Sequence, residues 1–132
     1  MIDIKEIREN PQRFKKAAED KLFDVDIDRL LYLDRVMRDS KKKLQNIATV
    51  KNQISKKIPK LSDIEKQAEL DNLSQLKKEE KRSQDWIKMR QPDFDELMLQ
   101  VAQPTDDDVP LGKDDTENVE IRKEGEIRRF DF

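Results

Sequence analysis

Cysteine and histidine are both absent from the 132 residues. Without thiols there is no disulfide, no thiolate nucleophile and no thiolate zinc site. Without imidazole the chain lacks the commonest general base and the commonest transition-metal ligand. Glycine occurs only twice, which argues against β architecture built on tight hairpins. It also leaves no phosphate loop, because Asp107 stands where the glycine five residues before Gly112-Lys113 would be required. The longest apolar run, Leu30 to Leu33, is far too short to span a bilayer. The opening Met1-Ile2-Asp3-Ile4-Lys5-Glu6 has no apolar stretch behind it that would make a secretory signal. The expectation is a cytoplasmic protein in a reducing setting, with no membrane role. A stand-alone enzyme would have to work with Asp, Glu and Lys alone, and this segment shows no catalytic residues.

What the chain does have is charge. Charged residues make up 44% and apolar residues 34%, against about 25% charged in a typical domain. That balance suits an exposed helical rod. From Leu30 to Val101 the apolar residues recur at alternating steps of three and four. They run Leu30, Leu33, Met37, Leu44, Ile47, Ile54 and Ile58, with Ser40 and Lys51 as interruptions. The register returns at Leu73, Leu76, Ile87, Phe94, Leu97 and Val101, broken by Glu80, Ser83 and Arg90. An average step near 3.5 residues is the coiled-coil pattern. Between the halves, Pro59 should push Ile58 out of the helical region, and Ser62 with Glu65 makes a capping box that restarts a helix. A short connection between long helices makes them antiparallel neighbours. The predicted fold is therefore all-α: an antiparallel coiled-coil hairpin over about residues 27–101, its tip at about 58–63. Each limb would be about 45–55 Å long at roughly 1.5 Å per residue.

The net charge of −2 conceals a polarised distribution. Residues 1–40 carry 9 basic and 10 acidic side chains, residues 41–90 carry 14 and 7, and residues 91–132 carry 5 and 13. Ser40 to Ser62 contains no acid at all, and Lys41, Lys42, Lys43, Lys51, Lys56, Lys57 and Lys60 all lie inside it. Basic charge without compensating carboxylates is the electrostatic footprint of a polyanion site. With Leu30 as heptad position a, Lys41, Lys42 and Lys43 fall at e, f and g, and Lys56 and Lys57 at f and g, away from the seam. The bland reading is a solvated surface. Lys51 falls on the seam, where its stem can pack while the ammonium reaches outward.

The flanks read more simply. Asn10-Pro11 marks a helix start, with Phe14, Ala17, Ala18 and Leu22 on one face and Ile4, Ile7 and Phe23 able to join them. This small piece should close the base of the hairpin. Asp26 is the expected N-cap of the first long helix. Asp24, Asp26 and Asp28 lack the glycine and the terminal Glu of a calcium loop. Trp86, beside Ile87, reads as packing and not as a base-stacking platform. Pro92 should kink or interrupt the second helix, which should resume over residues 93–101. Pro104 ends the helical domain, residues 1–103. Residues 104–118 read as an extended connector, and residues 118–132 as the start of a strand or hairpin.

The chain resembles the N-terminal tRNA-binding domain of seryl-tRNA synthetase over essentially its whole length. The opening through Glu9-Asn10-Pro11 looks like that family's start. Leu33-Asp34 with Arg38, then Lys51-Asn52 with Ser55-Lys56 and Ile58, look like its first long helix. Most specific is Val109-Pro110-Leu111-Gly112-Lys113-Asp114, followed by Asn118-Val119-Glu120-Ile121-Arg122, Gly125-Glu126 and Phe130-Asp131-Phe132, which is similar to the linker into the catalytic domain. Lys51 stands where the family usually has Arg, and Val101-Ala102-Gln103 replaces its usual Ile-Pro-Asn.

The resemblance implies a helical arm that clasps the long variable arm and elbow of a serine tRNA. It implies a parent ligase of class II that uses ATP and magnesium and acts as a homodimer, with residues 104–132 leading into a catalytic domain missing here. No cofactor is expected in this segment, which should be a monomer or weakly self-associating. The residues expected to meet the tRNA are Arg38, Lys41, Lys42, Lys51, Asn52, Ser55, Lys56, Lys57 and Lys60 from the first limb, and Lys77, Lys78 and Lys81 from the second. The rival expectation is a coiled-coil interaction or chaperone-like hairpin with no nucleic-acid role.

Overall fold

A computed structural model describes residues 2–125 and residue 130. The described residues are helical wherever they are regular, and no strand occurs among them. Helix α1 spans Ile4–Glu9, α2 Pro11–Asp20, α3 Ile27–Lys57 and α4 Asp63–Gln100, with 3-10 turns at Ile58–Lys60 and Asp115–Glu117.

Local chemistry explains most of the boundaries. Asp3 caps α1 by accepting the Lys5 N–H. Asn10 serves two helices at once: its N–H donates to Glu6 O, and its side chain accepts from Arg13 N–H ahead of Pro11 at the first helical position. Asp26 Oδ1 accepts from Arg29 N–H at 2.8 Å and so starts α3. At the start of α4, the Glu65 carboxylate reaches back to take the Ser62 N–H at 3.1 Å and the Ser62 hydroxyl at 2.6 Å.

Three boundary expectations need correction. Ile58 is not expelled from the helical region: it stays right-handed (φ −45°, ψ −43°), and its N–H donates to Ile54 O. The direction changes only at Leu61, which is extended. Pro59 lies at the start of a 3-10 turn, where a missing N–H costs little. Pro92 does not interrupt α4, which is continuous through it. Proline removes one ladder bond, and the turns on either side carry on, bridged by Gln91 Nε2 to Asp95 Oδ1 at 2.7 Å and Arg90 to Asp93 at 3.4 Å. Leu22 does not share the buried face of Phe14, Ala17 and Ala18. It is 77% exposed and left-handed, with φ 57°, because it occupies the turn that closes α2. Phe23 N–H donates to Ala18 O and Leu22 N–H to Glu19 O, the paired bonds of a Schellman turn.

The core lies at one end of the molecule. Ile7, Phe14, Ile27, Leu30 and Val101 form a buried cluster, with Ile2, Ile4, Val25, Leu31, Phe94, Leu97 and Met98 packed against it. The two short N-terminal helices therefore join the start of α3 to the end of α4. Polar ties reinforce the joint. Lys15 Nζ meets Asp28 at 2.7 Å, and Lys21 Nζ donates to Gln103 O at 2.7 Å. Asp34, buried, lies 3.3 Å from Arg8 Nε and 3.0 Å from Arg38 Nε.

From this core outward α3 and α4 share one seam. Arg29 faces Asp93 at 3.9 Å, Lys43 faces Glu79 at 3.3 Å and Lys51 faces Glu80 at 2.7 Å. Along α3 the seam residues Leu33, Met37, Ile47 and Ile54 are buried, whereas α4 has no fully buried residue. Two helices alone can cover only the strip between them. Beyond α4, residues 101–125 hold no long element. Gly112 lies against Glu117, where a Cβ would come within 2.9 Å of the Glu117 Cβ. The strand expected over 118–132 is absent among the described residues, and residues 126–129, 131 and 132 of that stretch lie outside them.

Candidate nucleic-acid interface

Extending the heptad along both long helices sorts their charges onto faces. With Leu30 as a in α3 and Leu73 as a in α4, positions e and b form one flank of the shared seam and g and c the other. On the e/b flank stand Lys41, Asn52 and Ser55 from α3, with Lys77, Lys81, Gln84 and Lys88 from α4. Lys41, Gln84 and Lys88 border one common recess between the helices, which places both e/b strips on the same side of the molecule. No carboxylate occupies this flank between Lys41 and Ser55 on α3, or between Gln67 and Gln91 on α4. None of these four lysines joins an ion pair among the described residues. The opposite flank is mixed: Glu79 neutralises Lys43 there, and Glu65 and Trp86 share the same heptad position.

The twelve residues expected from the sequence do not all meet. Lys41, Asn52, Ser55, Lys77 and Lys81 come together on the e/b flank, all exposed. Arg38 lies nearer the core, bonded to Asp34. Lys51 points across the seam, its Nζ on Glu80 and its side chain 26% exposed. Lys42, Lys56 and Lys78 lie at position f, on the outer surfaces of their helices, and Lys57 lies on the mixed flank. Lys56 and Lys57 also occupy the last turn of α3, where cations favour the negative end of the helix dipole. Lys60 ends the 3-10 turn that joins the two helices. Lys88 was missed. Carrying the heptad from Leu73 through Glu80 to Ile87 places it at b, one repeat after Lys81.

An unneutralised basic strip of this kind attracts phosphates by releasing their counterions. A narrow helical pair can lay such a strip across an RNA surface, reading shape and backbone without entering the deep, narrow A-form major groove. Among the described residues no group of three or more Asp or Glu could hold a metal ion, and no helix is long and apolar enough to cross a membrane.

Residues 1–103 match the family described as seryl-tRNA synthetase N-terminal domain. The chain is 36% identical over 137 residues to the serine–tRNA ligase of Pseudothermotoga lettingae, covering 100% of this chain and 32% of the relative. It is 33% identical over 132 residues to that of Deinococcus radiodurans, covering 100% of this chain and 31% of the relative. Against that of Haloquadratum walsbyi it is 38% identical over 133 residues, 95% of this chain and 28% of the relative. The chain thus spans about a third of the length of the curated relatives it matches. With the family pattern running from the first helix to the end of α4, the chain belongs to the seryl-tRNA synthetase N-terminal domain family.

Proposed function

We propose that this chain is the tRNA-binding arm of a serine–tRNA ligase. In this reading α3 and α4 form an antiparallel coiled-coil hairpin, held at its base by the N-terminal helices and projecting its basic flank to the long variable arm and elbow of a serine tRNA. Residues 1–103 are the arm, and residues 104–132 connect it to a catalytic domain of class II. The observation that carries the reading is the e/b strip. Lys41, Lys77, Lys81 and Lys88 lie on one side with no acid between them, while the cations of the other side are partly neutralised. The cross-helix pairs Arg29–Asp93 and Lys51–Glu80 support the antiparallel register, since the start of one helix meets the end of the other.

The arm positions the tRNA, and serylation takes place in the rest of the ligase. The residues described here do not fit an ATP–magnesium site, because they offer neither a cluster of carboxylates nor a glycine-rich loop. The longer protein acts in the cytoplasm as a homodimer, and the arm by itself is monomeric or self-associates weakly.

A gel-shift series at increasing salt tests the proposal, comparing a serine tRNA transcript with one lacking its variable arm. The full transcript binds more tightly, and its affinity falls steeply with salt. Equal, weak binding to both transcripts would sink this reading and favour a protein-interaction hairpin.

A further inference from the structure

The basic flank is not uniformly polar. Between α3 and α4 it opens into a wide, shallow recess of about 600 Å³. Leu44 from α3 and Ile87 and Pro92 from α4 give it an apolar lining, and Lys41 and Lys88 stand at its sides. Ser40 and Ser83, each one turn before Leu44 and Ile87, interrupt the apolar seam of their own helices. Leu44 and Ile87 are left half-buried, whereas Ile47 and Ile54, further along the same seam, are buried.

A phosphate backbone alone has no use for an apolar floor between two lysines. The apolar surfaces of an RNA are the faces of its bases, and in a folded RNA only unstacked bases present them. We propose that this recess receives one unpaired, turned-out nucleobase of the bound RNA, with the adjoining phosphates on Lys41 and Lys88. This rests on the RNA-binding reading above and deepens it. The base packs by its face on Leu44, Ile87 and Pro92, as extruded bases pack on apolar side chains elsewhere. At one rim Gln91 Nε2 donates to Asp95 Oδ1 at 2.7 Å. That carboxylate repels phosphate and so directs the backbone toward the two lysines. The floor has no aromatic ring, so the fit is to an apolar face of suitable size and tolerates different bases.

The test changes the RNA and leaves the protein intact. The 132-residue chain, labelled at Leu and Ile methyls, is titrated with a serine tRNA transcript. It is then titrated with transcripts in which single unpaired nucleotides of the elbow and variable arm are abasic. The expected result is that one abasic substitution weakens binding about tenfold, the scale of losing one stacked base, and removes the shifts of the Leu44 and Ile87 methyls. Uniform affinity across the abasic set, or methyls that never respond, overturns the recess proposal while salt-sensitive binding of the intact transcript keeps the RNA reading. Failure of the intact transcript to bind overturns both. Methyl shifts caused by an acidic amphipathic peptide and not by RNA would assign the recess to a protein partner instead.

Discussion

Lys51 Nζ lies 2.7 Å from Glu80 Oε2, and each side chain keeps only 26% exposure. Both residues interrupt the apolar seam of their own helix, and the fold sets the two interruptions against each other. A polar pair on a coiled-coil seam costs stability and selects register. Glu80→Ala leaves a half-buried ammonium without its partner. It should lower stability by about 1–2 kcal/mol in a denaturant titration, a value between those of exposed and buried pairs. The double change Lys51→Leu with Glu80→Leu should melt higher than the parent and associate more in sedimentation, because the seam becomes more apolar and loses one pair that selects its alignment.

The one-sided strip predicts a difference between lysines equally exposed to solvent. Lys77→Ala, Lys81→Ala and Lys88→Ala should each reduce the slope of log affinity against log salt for tRNA by about one. Lys42→Ala and Lys78→Ala, on the outer helix surfaces, should leave that slope unchanged. Equal effects at all five positions would mean that the chain presents a diffuse charge and not a face.

Glu65 makes the start of α4 sensitive to acid. The Ser62 hydroxyl, and then the Ser62 N–H, hold its carboxyl below the usual glutamate range. A folded-state pKa that is depressed gives stability present above the unfolded value and lost as pH falls through the folded one. Acidification below the ordinary carboxylate range should therefore loosen the first turn of α4 before the rest of the helix. Ser62→Ala should move the Glu65 carboxyl, followed by NMR, back toward its ordinary value.

Leu22 holds a left-handed backbone, φ 57°, in a turn where glycine is the usual choice. A side chain in that conformation costs about 1–2 kcal/mol, and glycine gives part of that back through its freer unfolded chain. Leu22→Gly should raise stability by about 0.5–1 kcal/mol in thermal melts. Because Leu22 is exposed, little packing is lost with it.

The helix starts were legible because each rests on neighbours in the chain: Asn10 before Pro11, Asp26 three residues before Arg29, Ser62 three before Glu65. The seam was legible for the same reason, since its period lies within each helix. Pro59 was misread, and Pro92 does not break its helix. The steric preference of Ile58 before Pro59 is weak enough for a 3-10 turn to override, and Pro92 removes one bond from a helix that has many. Leu22 was misplaced because its turn lacks the glycine that announces such an ending. Which lysines share a face could not be read from composition. Lys56 and Lys57 are adjacent in sequence yet fall on different faces, whereas Lys41 and Lys88 flank one recess from different helices.

Burial is concentrated where the N-terminal helices meet the two long ones. The fully buried side chains Ile7, Ile27 and Leu30 all sit with the N-terminal helices, and beyond Met37 only Ile47 and Ile54 are buried on α3, with none on α4. Local opening costs least where the fewest apolar contacts must be broken. The joint with the N-terminal helices is therefore the part of the long pair that opens last. The long helices can bend against whatever they touch without disturbing the joint that anchors them.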